Sequence, residues 1–260
     1  MKPITIAIIV FGFAGALPAA LRKTAEVIVN IDMTADGKKI ERPTPEKPAY
    51  YVPVILGYHE QGEIVGGEKP PSRVEVIRQL GKALAKEGYV LQALRPDANK
   101  TVPSLILVFE WGYLNPLITD YGEDSTVMGA DSSEAIAHVT ANFNQNEMLT
   151  LVAGDAAYRQ ASLSTSEWEK LRDAMSEGRY YVVVTAFDFA ASLKGEKILL
   201  WRARMSTERQ GVWMDDVVPA LVASGAPIFG REQDRPRIFS QPMREGKVEV
   251  GTPTVVGTKP

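Results

Sequence analysis

The sequence predicts an α/β fold of the α+β type, a mixed, largely antiparallel sheet with helices packed on it. Three observations predict it. Apolar runs of strand length, rich in β-branched and aromatic residues, recur along the chain; the clearest is Ser104 to Trp111, bounded by Pro103 and Gly112. Amphipathic stretches that open on Ser-x-x-Glu and close at glycine, as at Ser72 to Gly88 and Ser164 to Gly178, lie between them. Short connections between neighbouring runs favour antiparallel pairing.

An apolar share of 45% over 260 residues suits one large domain or two small ones with an ordinary core. The net charge of −3 and a pI near 5.6 show no excess of Lys and Arg, so nucleic acid is not an expected partner. The absence of cysteine removes disulfides, thiolate metal sites, iron-sulfur ligation, cysteine nucleophiles and the anchor of a lipoprotein.

In chain order, Lys2 precedes the uncharged apolar run Ile4 to Leu21, and Ala14-Gly15-Ala16 has the small-x-small pattern of a signal peptidase site. A secretory signal peptide over residues 1–16 is expected, and with it a periplasmic or secreted location. The competing readings are a membrane anchor formed by residues 4–21 and a buried first strand. Residues 17–49 then read as an N-terminal strand (Ala25 to Met33, with Val27, Val29 and Ile31 on one face), a turn at Asp36-Gly37 and a Pro-rich arm from Glu41 to Pro48. Residues 50–230 read as the mixed α/β domain. Its first strand, Tyr50 to His59, contains Pro53, which cannot donate to a ladder and predicts an edge or a bulge.

The helix from Ser72 is expected to have a capping box with Glu75 and an apolar face of Val74, Ile77, Leu80 and Leu84, with Gly88 as its C′ residue. The strand Tyr89 to Leu94 follows. The loop Arg95 to Pro103 is too short for a parallel crossover, so this strand should run antiparallel to Ser104–Trp111 if the two pair. Asp131 and Glu134 can cap a helix carrying Ile136, Val139 and Phe143, and Met148, Leu149 and Val152 resume that pattern. Ser164 and Glu167 offer another capping box ahead of Trp168, Leu171 and Met175. Tyr180 to Ala190 and Lys197 to Thr207 flank Leu193 to Glu196 as a long hairpin. On its second strand Leu199, Trp201, Ala203 and Met205 share one face, and Arg202 and Arg204 the other. A last helix from Met214 to Ser224 has Asp215 and Asp216 in its first turn, where the helix dipole favours them. Low apolar density predicts a disordered tail over 231–260.

Few chemistries remain. With only His59 and His138 as imidazoles and no metal-binding motif, neither a metal site nor a cofactor is expected. No nucleophile elbow, P-loop or dinucleotide fingerprint occurs. The catalytic candidates are Glu110 at the end of its apolar strand and Asp188 in the first hairpin strand, where apolar surroundings can raise a carboxyl pKa, together with His59 beside a Gly-rich loop. Each has a structural alternative: the carboxylates face out at strand ends or pair with Arg202 or Arg204. The binding candidates are Trp111 and Trp201, as lining of a ligand groove or as core, and Arg202 and Arg204 on the opposite strand face.

The helix ending Lys86-Glu87-Gly88-Tyr89, the run Pro103 to Val108 and the return strand Leu199-Leu200-Trp201-Arg202-Ala203 before a final helix resemble a group of bacterial envelope proteins. Their α/β fold is similar to the amino-terminal domain of the Tol translocation protein and to the curli secretion lipoprotein. The resemblance spans about residues 50–230, and many members are lipoproteins, whereas this chain has no lipidation cysteine. It implies an extracytoplasmic, non-enzymatic domain that binds a protein or another envelope component. The alternatives are an extracytoplasmic hydrolase using Glu110, Asp188 or His59, which requires two of the three in one pocket, and a small-ligand carrier with an aromatic cavity.

Overall fold

The computed structural model describes residues 24–61, 69–92, 102–116, 146–154 and 163–243. The apolar run organises the sheet. Strand β4 (Leu105–Leu114) lies between β2 (Ala49–Gln61), which it pairs in parallel, and β5 (Arg179–Asp188), which it pairs antiparallel. Beyond β5 come β6 (Leu199–Glu208), β1 (Thr24–Met33) and β7 (Arg237–Pro242), all antiparallel. The short β3 (Tyr89–Leu91) pairs in parallel with the other side of β2, so the order is β3-β2-β4-β5-β6-β1-β7. The sheet is mixed and largely antiparallel, as the sequence predicts.

Helix α1 (Arg73–Lys86) supplies the crossover that the parallel pair β2 and β3 requires. The expected antiparallel relation of β3 to β4 does not arise. That expectation is for a direct pair, and the two strands do not pair: they lie on either side of β2 and both run parallel to it.

Odd-numbered residues of β4 (Leu105, Leu107, Phe109, Trp111 and Tyr113) are buried under α1 and α5 (Met214–Gly225). The even-numbered Ile106, Val108 and Glu110 on the other face are only half-buried, so the strand is not covered on both faces throughout. Near its C-terminal end that second face is covered by helical residues 146–153, here α2, and by α3 (Thr165–Ser176). Ile28, Leu114 and Tyr181 meet Met148, Leu151, Val152 and Leu171 there. Burying an aromatic or branched side chain of this kind contributes about 1.5–3 kcal/mol, so the two clusters account for the arrangement of helices on the sheet.

Several local expectations change. Ser72 flanks α1 but makes no side-chain cap; the Glu75 carboxylate accepts from Arg78 Nε at 2.7 Å and from Gln79 Nε2 at 2.7 Å. The buried face of α1 is Val76, Leu80 and Leu84, one step round from the expected one, and Val74 is 76% exposed. Gly88 follows the helix at φ +85, where an added Cβ would meet the Thr44 backbone at 2.4 Å. Ser164 and Glu167 do form the capping box of α3. The Pro-rich arm is tied down, since Arg42 donates to the carbonyls of Phe229 and Pro227 and pairs with Glu87, and Pro43 is buried.

The hairpin β5-β6 contains a one-turn helix, α4 (Phe189–Ser192), ahead of its turn. The register slips between Ala186 and Phe187, so Leu200 joins Trp201, Ala203 and Met205 in the core while Leu199 is half-exposed. The predicted tail begins as structure: Arg237 to Pro242 form β7, the outer partner of β1. Residues 1–16 and the run 4–21, the Asp131–Phe143 helix, His138 and residues 244–260 lie outside the described residues.

Candidate functional site

Sheet register gathers polar side chains in the middle of the face that α2 and α3 partly cover. Across β4, β5, β6 and β1 the paired residues are Glu110, Val183, Arg204 and Asn30, and one step along the sheet are Val108, Thr185, Arg202 and Asp32. Arg204 is therefore not an exposed outward residue. It is 7% exposed, its Nη1 donates to Asn30 Oδ1 at 3.2 Å, and it forms an ion pair with Asp32. Removing either member of such a buried pair leaves an uncompensated charge, which costs far more than the pair's net gain. Arg202 donates through Nε to Thr185 Oγ1 at 3.2 Å.

Asn30 also donates through Nδ2 to the Leu151 carbonyl at 2.5 Å and so ties α2 to the sheet. That contact brings Glu147, on α2, over Glu110. Between them lies a cleft of about 300 Å³ lined by Gln61, Glu110, Leu114, Glu147, Thr150, Leu151, Tyr181, Val183 and Arg204, with Asn146 at its rim. Tyr181 is buried, and its hydroxyl donates to Glu110 Oε1 at 3.1 Å. Burial first, and then the Glu110 and Glu147 charges, raise the Tyr181 pKa well above its ordinary value, so its hydroxyl stays protonated. Loss of hydration and the nearby Glu110 charge raise the Glu147 pKa above its usual 4.5.

Of the catalytic candidates, Glu110 alone lines this cleft. Asp188 pairs in the ladder with Leu105, about 17 Å along β4 from Glu110 at the usual strand rise. Its Oδ1 accepts from the Ala191 N–H at 2.7 Å as the N-cap of α4, a structural task. His59 is exposed near the end of β2. The three do not meet in one pocket, and neither carboxylate pairs with Arg202 or Arg204 in the way the sequence allowed.

The aromatic candidates fill the core. Trp111 is 1% exposed on the α1 side of the sheet. Trp201 stacks on Phe229 at 5.7 Å between ring centres, meets Tyr89 edge-on at 5.9 Å, and borders only a crevice of about 30 Å³. That crevice holds little more than a water molecule, so among the described residues Trp201 lines no carrier cavity. Reading the sequence missed Tyr181, Glu147, Asn30 and Asp32. Strand alternation does separate Tyr181 from Tyr180, but nothing local tells which face carries a cleft.

A second feature lies at the sheet margin. Strand β3 covers only Ala49 to Tyr51, and among the described residues no strand pairs with the outer side of β2 from Val52 to Gln61. Tyr51 O accepts from Gln92 on that side, whereas Tyr50 O accepts from Ser104 on the β4 side. Pro53, two residues after Tyr51, therefore turns its missing donor to the open side and costs the β4 ladder nothing. Gly57, at φ +96, carries the bulge that follows. Val54 and Leu56 are 41% and 55% exposed beside this edge, on the rim of an apolar groove of about 440 Å³ that also includes Ile106, Val108 and Phe187.

No protein-family model matches the chain, and no curated protein matches it. Among solved structures it is similar to a PDZ domain protein from Parabacteroides distasonis ATCC 8503, at 11% identity and a TM-score of 0.38. The match covers 84% of this chain and 39% of that one.

Proposed function

We propose that the chain is an extracytoplasmic, non-enzymatic domain that binds a protein or cell-envelope partner through the open side of β2. The observation that carries this reading is the uncovered stretch Val52 to Gln61 beside exposed Val54 and Leu56. A strand laid there gains main-chain hydrogen bonds from the edge, and its alternate side chains enter the apolar groove formed with Ile106, Val108 and Phe187. The apolar run Ile4 to Leu21 with its small-x-small site, and the resemblance to envelope proteins, support the extracytoplasmic part. Among the described residues no helix is long and apolar enough to cross a membrane.

The test places a photo-crosslinking amino acid at position 56 of the tagged chain, with position 240 on β7 as control, and identifies products from intact cell envelopes by mass spectrometry. One protein crosslinked from 56, absent from 240 and lost on adding Val54→Lys, is the expected result. Equal crosslinking from both edges, or none from 56, removes this reading of β2.

A further inference from the structure

The cleft over β4 is lined by two acidic side chains. Glu110 and Glu147 both face it, and among the described residues neither is in an ion pair. Tyr181 gives Glu110 a hydrogen bond but no positive charge. Arg204 lines the same space, yet its guanidinium is already paired with Asp32 and bonded to Asn30. We propose that this cleft binds a small aliphatic ammonium ion, with its charge held by Glu110 and Glu147 and its hydrocarbon chain against Leu114, Leu151 and Val183.

Two carboxylates facing one cleft repel each other, and a bound cation between them relieves both at once. An ammonium has three donors and no acceptor, which suits a site lined by Glu110, Glu147 and Gln61, whose side chains carry acceptor oxygens. A hard divalent metal asks for six to eight oxygen ligands and has no use for three aliphatic walls. Among the described residues, no group of three or more acidic or imidazole side chains could hold one. An anion would meet both carboxylates. The cleft volume of about 300 Å³ is at the lower end for ligand sites and suits a molecule of few heavy atoms.

The experiment is calorimetric titration of the full chain at low ionic strength and pH 7.5 with n-butylammonium, 1-butanol and calcium chloride as separate probes. The expected result is n-butylammonium binding with a Kd of about 1 mM or tighter, weakened about tenfold or more by Glu110→Gln or Glu147→Gln, with no measurable heat from 1-butanol. Both variants keep side-chain volume, and thermal melting checks folding. If Glu110→Gln does not fold, Glu147→Gln at its half-buried helix position decides alone. Equal binding of 1-butanol, preferential binding of calcium, unchanged affinity in the folded variants, or no binding of n-butylammonium each overturns the proposal.

Discussion

Glu147 shows what burial does to a single side chain here. Its carboxyl is pulled from water by α2 and the sheet and repelled by Glu110, with Tyr181 and Arg204 as the other ionisable groups facing the cleft. The folded chain therefore keeps this proton to a higher pH than the unfolded chain does. The resulting stability is fully present below the ordinary carboxyl value of 4.5 and is lost as pH rises through the raised one. Without ligand, Glu147→Gln is expected to raise the melting temperature at pH 7 by about 2 °C and to leave it unchanged at pH 4, as differential scanning calorimetry can check. Glu110 was legible in the sequence as a carboxylate at the end of an apolar strand. Its partners were not, because Tyr181 and Glu147 lie far along the chain and only register and packing bring them to it.

At the scale of elements, two sites with the same Ser-x-x-Glu spacing behave differently. Ser164 bonds the Glu167 N–H while the Glu167 carboxylate returns to the Ser164 N–H, whereas Glu75 is held by Arg78 and Gln79 and Ser72 makes no cap. Ser164→Ala should cost about 1 kcal/mol in urea unfolding. Ser72→Ala should stay within about 0.5 kcal/mol. Equal losses would mean that both boxes form in solution. Strand β2 is the opposite case, where the sequence sufficed: Pro53 announced an edge or a bulge, and the strand has both, since a residue without an N–H has few other places in a sheet.

At the scale of the molecule, the two ends of the described chain form one margin of the sheet. Strand β1 lies between β6 and β7, so the N-terminal strand and part of the predicted tail belong to the same sheet as the central strands. Val27 and Ile28 of β1, both buried, pair with Phe239 and Ile238 of β7. Truncation after Pro236 is expected to expose that side of β1 and lower the melting temperature by roughly 5 °C or more. In the intact chain those amides of β7 that face β1 should exchange slowly with solvent. Exchange at unfolded-chain rates would return this segment to the tail.

By itself the sequence determined which stretches are strands and which are helices in most of the described chain. Periodicity, Pro53, Gly88 and the Ser164 box are local properties, fixed by backbone sterics and by nearby hydrogen bonds. Only the tertiary structure decided the strand order, the face each helix covers, the pairing of Arg204 with Asp32 and the meeting of Glu110 with Tyr181 and Glu147. Alternation along a strand separates its two faces but does not say which neighbour or which helix each will meet. That choice is made by burial summed over residues distant in the chain, which leaves no mark in any short window of sequence.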